Sequence, residues 1–442
     1  MVQKAKKHWR SLAVILAVVG MVGWVASGLA GFDGQNVLAD PQGIKYTGAG
    51  SCAAAACHGS QTPKEDGSTR HDENTIWSNK DAHAKAHGSL LSDDSKAWAK
   101  NLKIEDASKS ERCLNCHALS GFTIHDNTVH RVVLKPEDIN AEKYSVEDGV
   151  SCDACHGPAD KYLKDHTTKG WTQKQRDTLG SQKTFDEWGL YDTKNVMFRA
   201  NVCLSCHLKI DGDLVAAGHP ELPFELSIMS SDEEWIHWRN HGAWTGFKIW
   251  AMGQVVSLRE SAVQTADRTK AGADEKLVKG SYDRMLGHAI LTRQTASAVD
   301  AEGLAALDKL LGAVKADWAD AGKREAALRA LAKGVDEWAA KLNGIDFDQA
   351  KAEAVLKGVA AEGEQVAPLG YRAGETFVMS AIALVGAHNK DGKPADADAK
   401  MEKAGGLYDA LGDKDTYDAA KFGPGAKAMA EWYPGGKSLP LP

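Results

Sequence analysis

Three copies of the pattern Cys-x-x-Cys-His, with one stretched relative, take up all eight cysteines of this chain. Cys113-Leu-Asn-Cys116-His117, Cys152-Asp-Ala-Cys155-His156 and Cys203-Leu-Ser-Cys206-His207 keep two residues between their thiols, whereas Cys52-Ala-Ala-Ala-Ala-Cys57-His58 has four. The pattern is the attachment signature of c-type haem. Each thiol adds across one vinyl group, the macrocycle fixes the separation of the two vinyls, and the next histidine falls beneath the iron as its proximal ligand. A structural zinc site needs four ligands per metal and has no use for a histidine after every pair. A disulfide framework would consume the thiols but leave the four histidines unexplained. Four covalently bound haem c groups are therefore expected, at Cys52/Cys57, Cys113/Cys116, Cys152/Cys155 and Cys203/Cys206, with His58, His117, His156 and His207 as proximal iron ligands. The insert Ala53 to Ala56 can bulge cheaply because its side chains are small, so the first motif is counted with the rest.

Lys4, Lys6, Lys7 and Arg10 precede an uncharged stretch from Ser11 to Gly31, and no acidic residue occurs before Asp33. A basic head followed by an apolar run is an export signal. The run of about 20 residues also has the length of a bilayer-spanning helix. Residues 1–39 are accordingly read as an export signal, cleaved after Ala30 or Ala39, or as an N-terminal membrane anchor through residues 11–31. Either way the body lies outside the cytoplasm, periplasmic or otherwise extracytoplasmic, where bacteria attach haem to thiols.

Composition changes near residue 230. Residues 40–230 hold every cysteine and most histidines, with many turns and little long periodicity, and are expected to form a tetrahaem domain. Haems are large apolar discs, so four of them supply much of a core, and removing them should unfold this part as metal removal unfolds a small metal domain. Residues 231–442 lack cysteine, are rich in alanine and carry helical periodicity. Leu304, Leu307, Leu311, Val314 and Trp318 share one face, as do Leu328, Leu331, Val335, Trp338 and Leu342 ahead of an Asn343-Gly344 stop. Further helices are expected over 244–268, 275–299, 348–360 and 371–387. The fold class is mainly α: a haem-packed domain with few strands, then an antiparallel helical bundle.

The net charge of −7 becomes −11 when the four basic residues of the leader are set aside. An acidic surface disfavours nucleic acid and suits transient docking with a redox protein that presents a basic face. The other axial ligands must come from the remaining histidines. His288 and His388 lie far along the chain from any motif and read as ordinary helix residues, and His71 falls in a polar loop. His125 and His130 follow the second motif closely enough for a returning loop to cap its iron.

At Trp77-Ser-Asn-Lys-Asp-Ala-His83-Ala-Lys-Ala, at Gly149-Val-Ser-Cys152-Asp-Ala-Cys155-His156-Gly-Pro158, on to Asp165-His166, and around Cys203-Leu-Ser-Cys206-His207-Leu, the chain resembles the tetrahaem cytochromes of the cytochrome c-554 type. The resemblance spans residues 50–225. It implies that His83 ligates the haem at Cys152/Cys155 and that His166 reaches back to the haem at Cys52/Cys57. In that family the second haem can be five-coordinate. Gly218-His219-Pro220-Glu-Leu-Pro-Phe224-Glu is similar to a ligand segment that follows the last motif in larger multihaem relatives, which implies His219 for the fourth haem, with His237 or His241 as the alternative.

These features describe a c-type cytochrome that passes single electrons between redox partners, a carrier rather than an enzyme. Two alternatives stand beside it. One is a multihaem reductase with an open haem acting on a small nitrogen oxide. The other is an electron-transfer subunit docked to a larger respiratory or photosynthetic complex through its helical bundle.

Overall fold

The computed structural model describes residues 43–442 apart from 65–68, 126–127, 231–236 and 239–241. The leader, with the export-signal and anchor readings of residues 1–39, and His241 lie outside the described residues. Among the described residues no helix is long and apolar enough to cross a membrane.

The first part is built of short pieces. In chain order these are α1 (Glu73–Lys80), α2 (Ala86–Ser89), α3 (Asp93–Asn101), α4 (Glu111–His117), the strands β1 (Gly121–His125) and β2 (Thr128–Val132), then α5 (Asp153–His156), α6 (Trp171–Trp188), α7 (Val196–His207), α8 (Gly212–Ala217) and α9 (Leu226–Met229). The strands pair antiparallel in register from Gly121 opposite Val132 to His125 opposite Thr128, and are the only sheet among the described residues. The fold is mainly α.

Long helices follow: α10 (Thr245–Lys270), α11 (Glu275–Val299), α12 (Ala301–Ala316), α13 (Ala321–Asn343), α14 (Gln349–Ala360), α15 (Gly363–Val366), α16 (Tyr371–Gly392), α17 (Ala397–Leu411) and α18 (Ala419–Trp432). Aspartates start several of them. Asp274, Asp320 and Asp348 accept backbone N–H bonds from Lys276, Lys323 and Lys351, which satisfies donors the first helical turn leaves open. The expected apolar stripes are buried: Leu307, Leu311 and Val314 on α12, and Leu328, Leu331, Val335 and Leu342 on α13. The sequence pattern missed α17 and α18, whose apolar positions are diluted by glycine and lysine.

The described residues form one compact unit. A single core runs from Phe122 and Val129 on the hairpin, through α7, to Phe422 and Met429 on α18. The joint is also polar. Arg259 on α10 donates to Asp336 on α13 (2.7 Å), to Asn201 on α7 (2.8 Å) and to Glu260 (2.6 Å). Gln264 donates to the carbonyls of Leu208 and Ile210, just beyond the fourth motif. Helix α10 is thus buried on nearly every face and serves as the wall against which the last haem motif is held.

Candidate functional site

Each motif closes on itself locally. In the third, the N–H of His156 donates to the carbonyl of Cys152 at 2.9 Å. The stretched first motif reaches the same closure: His58 N–H donates to Cys52 O at 3.2 Å, while Cys57 and Gly59 both donate to Ala54 O. The extra alanines are exposed and looped outward, and the thiol–histidine relationship survives the insertion. The second motif occupies α4 and the fourth ends α7. All eight cysteines are free thiols.

Every motif histidine faces one histidine from elsewhere in the chain. His58 faces His166 with ring centres 6.1 Å apart, and His117 faces His219 at 6.2 Å. His156 faces His237 at 6.2 Å, and His207 faces His83 at 6.1 Å. An iron–imidazole bond of about 2 Å on each side, with about 1 Å from each nitrogen to its ring centre, places two axial imidazoles about 6 Å apart. The four pairs fit one six-coordinate haem iron each. A bound imidazole must be neutral, and burial favours that form at five of the eight rings, whereas Glu73 raises His58 and Asp81, against burial, raises His83. Burial, aided by the neighbouring His237, pulls His156 down to about 3, and burial with the nearby His83 pulls His207 down to about 4. Burial also lowers His166, His219 and His237.

Five of the eight Nδ1 atoms are used elsewhere, which leaves Nε2 of those rings for the metal, while the buried Nδ1 atoms of His207 and His237 have no hydrogen-bond partner among the described residues. His58 Nδ1 meets Glu73 at 3.0 Å and His83 Nδ1 meets Asp81 at 2.9 Å. His117 Nδ1 bonds the carbonyl of Ala86 (3.0 Å), His166 that of Tyr162 (3.1 Å), and His219 that of Pro220 (2.8 Å). Burial alone would raise the Glu73 carboxyl, but the hydrogen bond from His58, the backbone N–H groups of Glu73 and Arg70 and the charge of His58 together outweigh it and hold the group at about 2.

Two expected pairings change. His83 faces His207 of the fourth motif, not His156 of the third. Its carbonyl does accept the N–H of Val150, two residues before Cys152, so its backbone runs beside the third motif while its ring points to the fourth. Gly149 has φ 65°, and a side chain there would strike that same carbonyl. His219 faces His117 of the second motif rather than His207 of the fourth, because the loop after α8 returns toward α4: Arg112 pairs with Asp211 and Asp213, and Asn101 donates to Ala217 O. His237, held as an alternative for the fourth haem, faces His156. His125 ends β1 and exposed His130 lies on β2, while the ring that meets His117 is that of His219.

Other histidines have structural partners. His71 Nδ1 bonds the carbonyl of Cys57 at 2.6 Å, and buried His288 bonds Gln254 at 2.8 Å. The motifs also approach one another: the Cys52 thiol lies near enough to that of Cys152, and the Cys116 thiol to that of Cys206, for each to shift the other's ionisation. Attachment edges of the first and third sites, and of the second and fourth, are therefore neighbours, which suits rapid electron exchange between them.

A mainly α fold that brings thiol pairs and opposed imidazoles together in this way defines a multihaem c-type cytochrome. Residues 51–157, which contain the first three motifs, match the family described as Cytochrome c554 and c-prime. That segment is of the c554 type, with covalently bound haem c and a role in electron transfer. No curated protein and no solved structure matches the chain.

Proposed function

We propose that this protein is a tetrahaem electron carrier working outside the cytoplasm, with all four irons bound by two histidines: His58/His166, His117/His219, His156/His237 and His207/His83. The four opposed imidazole pairs carry this reading. Iron with two protein ligands has no place for a substrate, so the bound haem c groups supply one-electron redox chemistry and the chain's residues hold, orient and insulate them. His219 opposite His117 weighs against an open second haem and hence against a nitrogen-oxide reductase. The acidic surface favours docking with basic redox partners, and the stretch 11–31 supplies export or anchoring. Intact mass of the purified protein should exceed the polypeptide by four haem groups, and the reduced protein should leave carbon monoxide unbound. An excess of three would remove the Cys52/Cys57 site, and rapid binding of the gas to one haem in four would restore the reductase reading.

A further inference from the structure

Arg131, on β2, lies between three of the four attachment motifs. Its Nε donates to the Ser205 hydroxyl at 2.7 Å, inside the fourth motif, and its Nη1 to the Ala154 carbonyl at 2.8 Å, inside the third. Its Nη2 donates to Val202 O at 3.2 Å, and the guanidinium lies over the Phe122 ring at 5.2 Å. These acceptors are two carbonyls and a hydroxyl, none of them a carboxylate. The groups whose charge Arg131 senses most are the thiols of Cys206, Cys155 and Cys116, followed by Tyr46. Thioether formation at those three cysteines leaves no negative charge there, so among the described residues the guanidinium has no carboxylate hydrogen-bonded to it. An enclosed charge without a counter-ion is costly and persists only where something else benefits from it.

We infer that Arg131 is an electrostatic positioning residue that makes the fourth haem easier to reduce, acts less on the second and third, and leaves the first untouched. A fixed positive charge stabilises an added electron in inverse proportion to distance and local dielectric. The gradient follows from placement. Cys203, Cys206, His207 and His83, all at the fourth site, feel the guanidinium. At the second and third sites it acts on Cys116 and Cys155. At the first site the charges acting on Cys52, His58 and His166 are Asp153, Glu73 and one another. Asp81, bonded to His83, opposes the effect at the fourth haem, so the guanidinium there offsets a carboxylate that makes its histidine more basic.

The inference rests on the four-haem reading and fails separately from it. Full-length haem-loaded protein is titrated with dithionite and ferricyanide while optical and electron paramagnetic resonance spectra are recorded. Arg131→Gln keeps hydrogen-bonding capacity without charge, and Arg131→Lys keeps charge without the planar fork. The expected result for R131Q is a shift of the fourth haem's midpoint to more negative potential, a smaller shift for the second and third, and none for the first. R131K should stay near the parent. Equal shifts in both variants, or four unchanged midpoints in a protein that still carries four low-spin haems, would overturn the role of Arg131 and leave the carrier reading intact. Should R131Q not load haem, R131K carries the test alone. Raising the pH until its lysine discharges must lower the fourth midpoint while the first stays fixed, and no such fall overturns the proposal.

Discussion

The imidazole of His83 faces that of His207 at 6.1 Å, with the ring planes 77° apart. The two residues come from opposite ends of the haem-bearing region, so iron at this site ties an early loop to the end of α7. Replacing His83 with Gly should turn the haem at Cys203/Cys206 high spin and leave that at Cys152/Cys155 low spin. Resonance Raman or magnetic circular dichroism spectra, combined with the matching His237→Gly variant, assign the affected haem. A high-spin third haem in H83G would restore the pairing implied by the family resemblance.

The ring angles give a second expectation. His117/His219 are also crossed, at 82°, whereas His58/His166 and His156/His237 lie closer to parallel, at 10° and 29°. Parallel axial imidazoles split the two iron d orbitals that overlap them, while crossed imidazoles leave those orbitals nearly degenerate. The oxidised protein should therefore show low-spin resonances of two kinds, two rhombic and two strongly anisotropic. Four rhombic signals would contradict the crossed pairs.

The attachment chemistry was legible because it is local: thiol spacing and the adjacent histidine report on one macrocycle edge. The long bundle helices were legible for a similar reason, since Leu328, Leu331, Val335 and Leu342 repeat with the helical period. The exchange of His83 and His219 between haems was not, because it depends on where the loops after α1 and α8 return. Those paths are set by contacts such as Arg112 with Asp213 and Trp77 with Val150 O, which have no short-range signature. His237 was ambiguous from sequence because a histidine beside two tryptophans reads equally well as a polar helix face.

His288, on α11, gives a pH dependence remote from any haem. Burial, helped by the nearby Arg284, lowers it to about 3, and its Nδ1 is held by Gln254. The unfolded chain then binds the proton more readily, so this group's contribution is complete above the ordinary histidine range and is lost as pH falls from about 6.5 toward 3. Between pH 7 and pH 5 the loss is on the order of 2 kcal/mol. His288→Gln should lower stability at pH 7 but flatten its decline toward pH 5, as measured by thermal unfolding across that range. An unchanged slope would show that His288 does not carry the acid sensitivity.

Glu221 connects the bundle to the second haem. It follows His219 by two residues and receives Arg268 at 2.8 Å and Arg372 at 3.2 Å, with Arg284 at 4.0 Å. Burial would raise its carboxyl, but Arg284, Arg268 and Arg372 together hold it at about 2. The three arginines come from α10, α11 and α16, so the bundle grips the loop that presents His219 to the second site. Glu221→Ala leaves those guanidinium groups short of a buried partner, a change that costs about 3–5 kcal/mol. The loop should loosen, giving a high-spin fraction at the Cys113/Cys116 haem and carbon monoxide binding to that haem alone in the reduced protein. Glu221→Asp, which keeps the charge, should retain most of the low-spin spectrum. A large fall in stability with four low-spin, gas-inert haems would mean that the arginine cluster holds the bundle together without positioning His219.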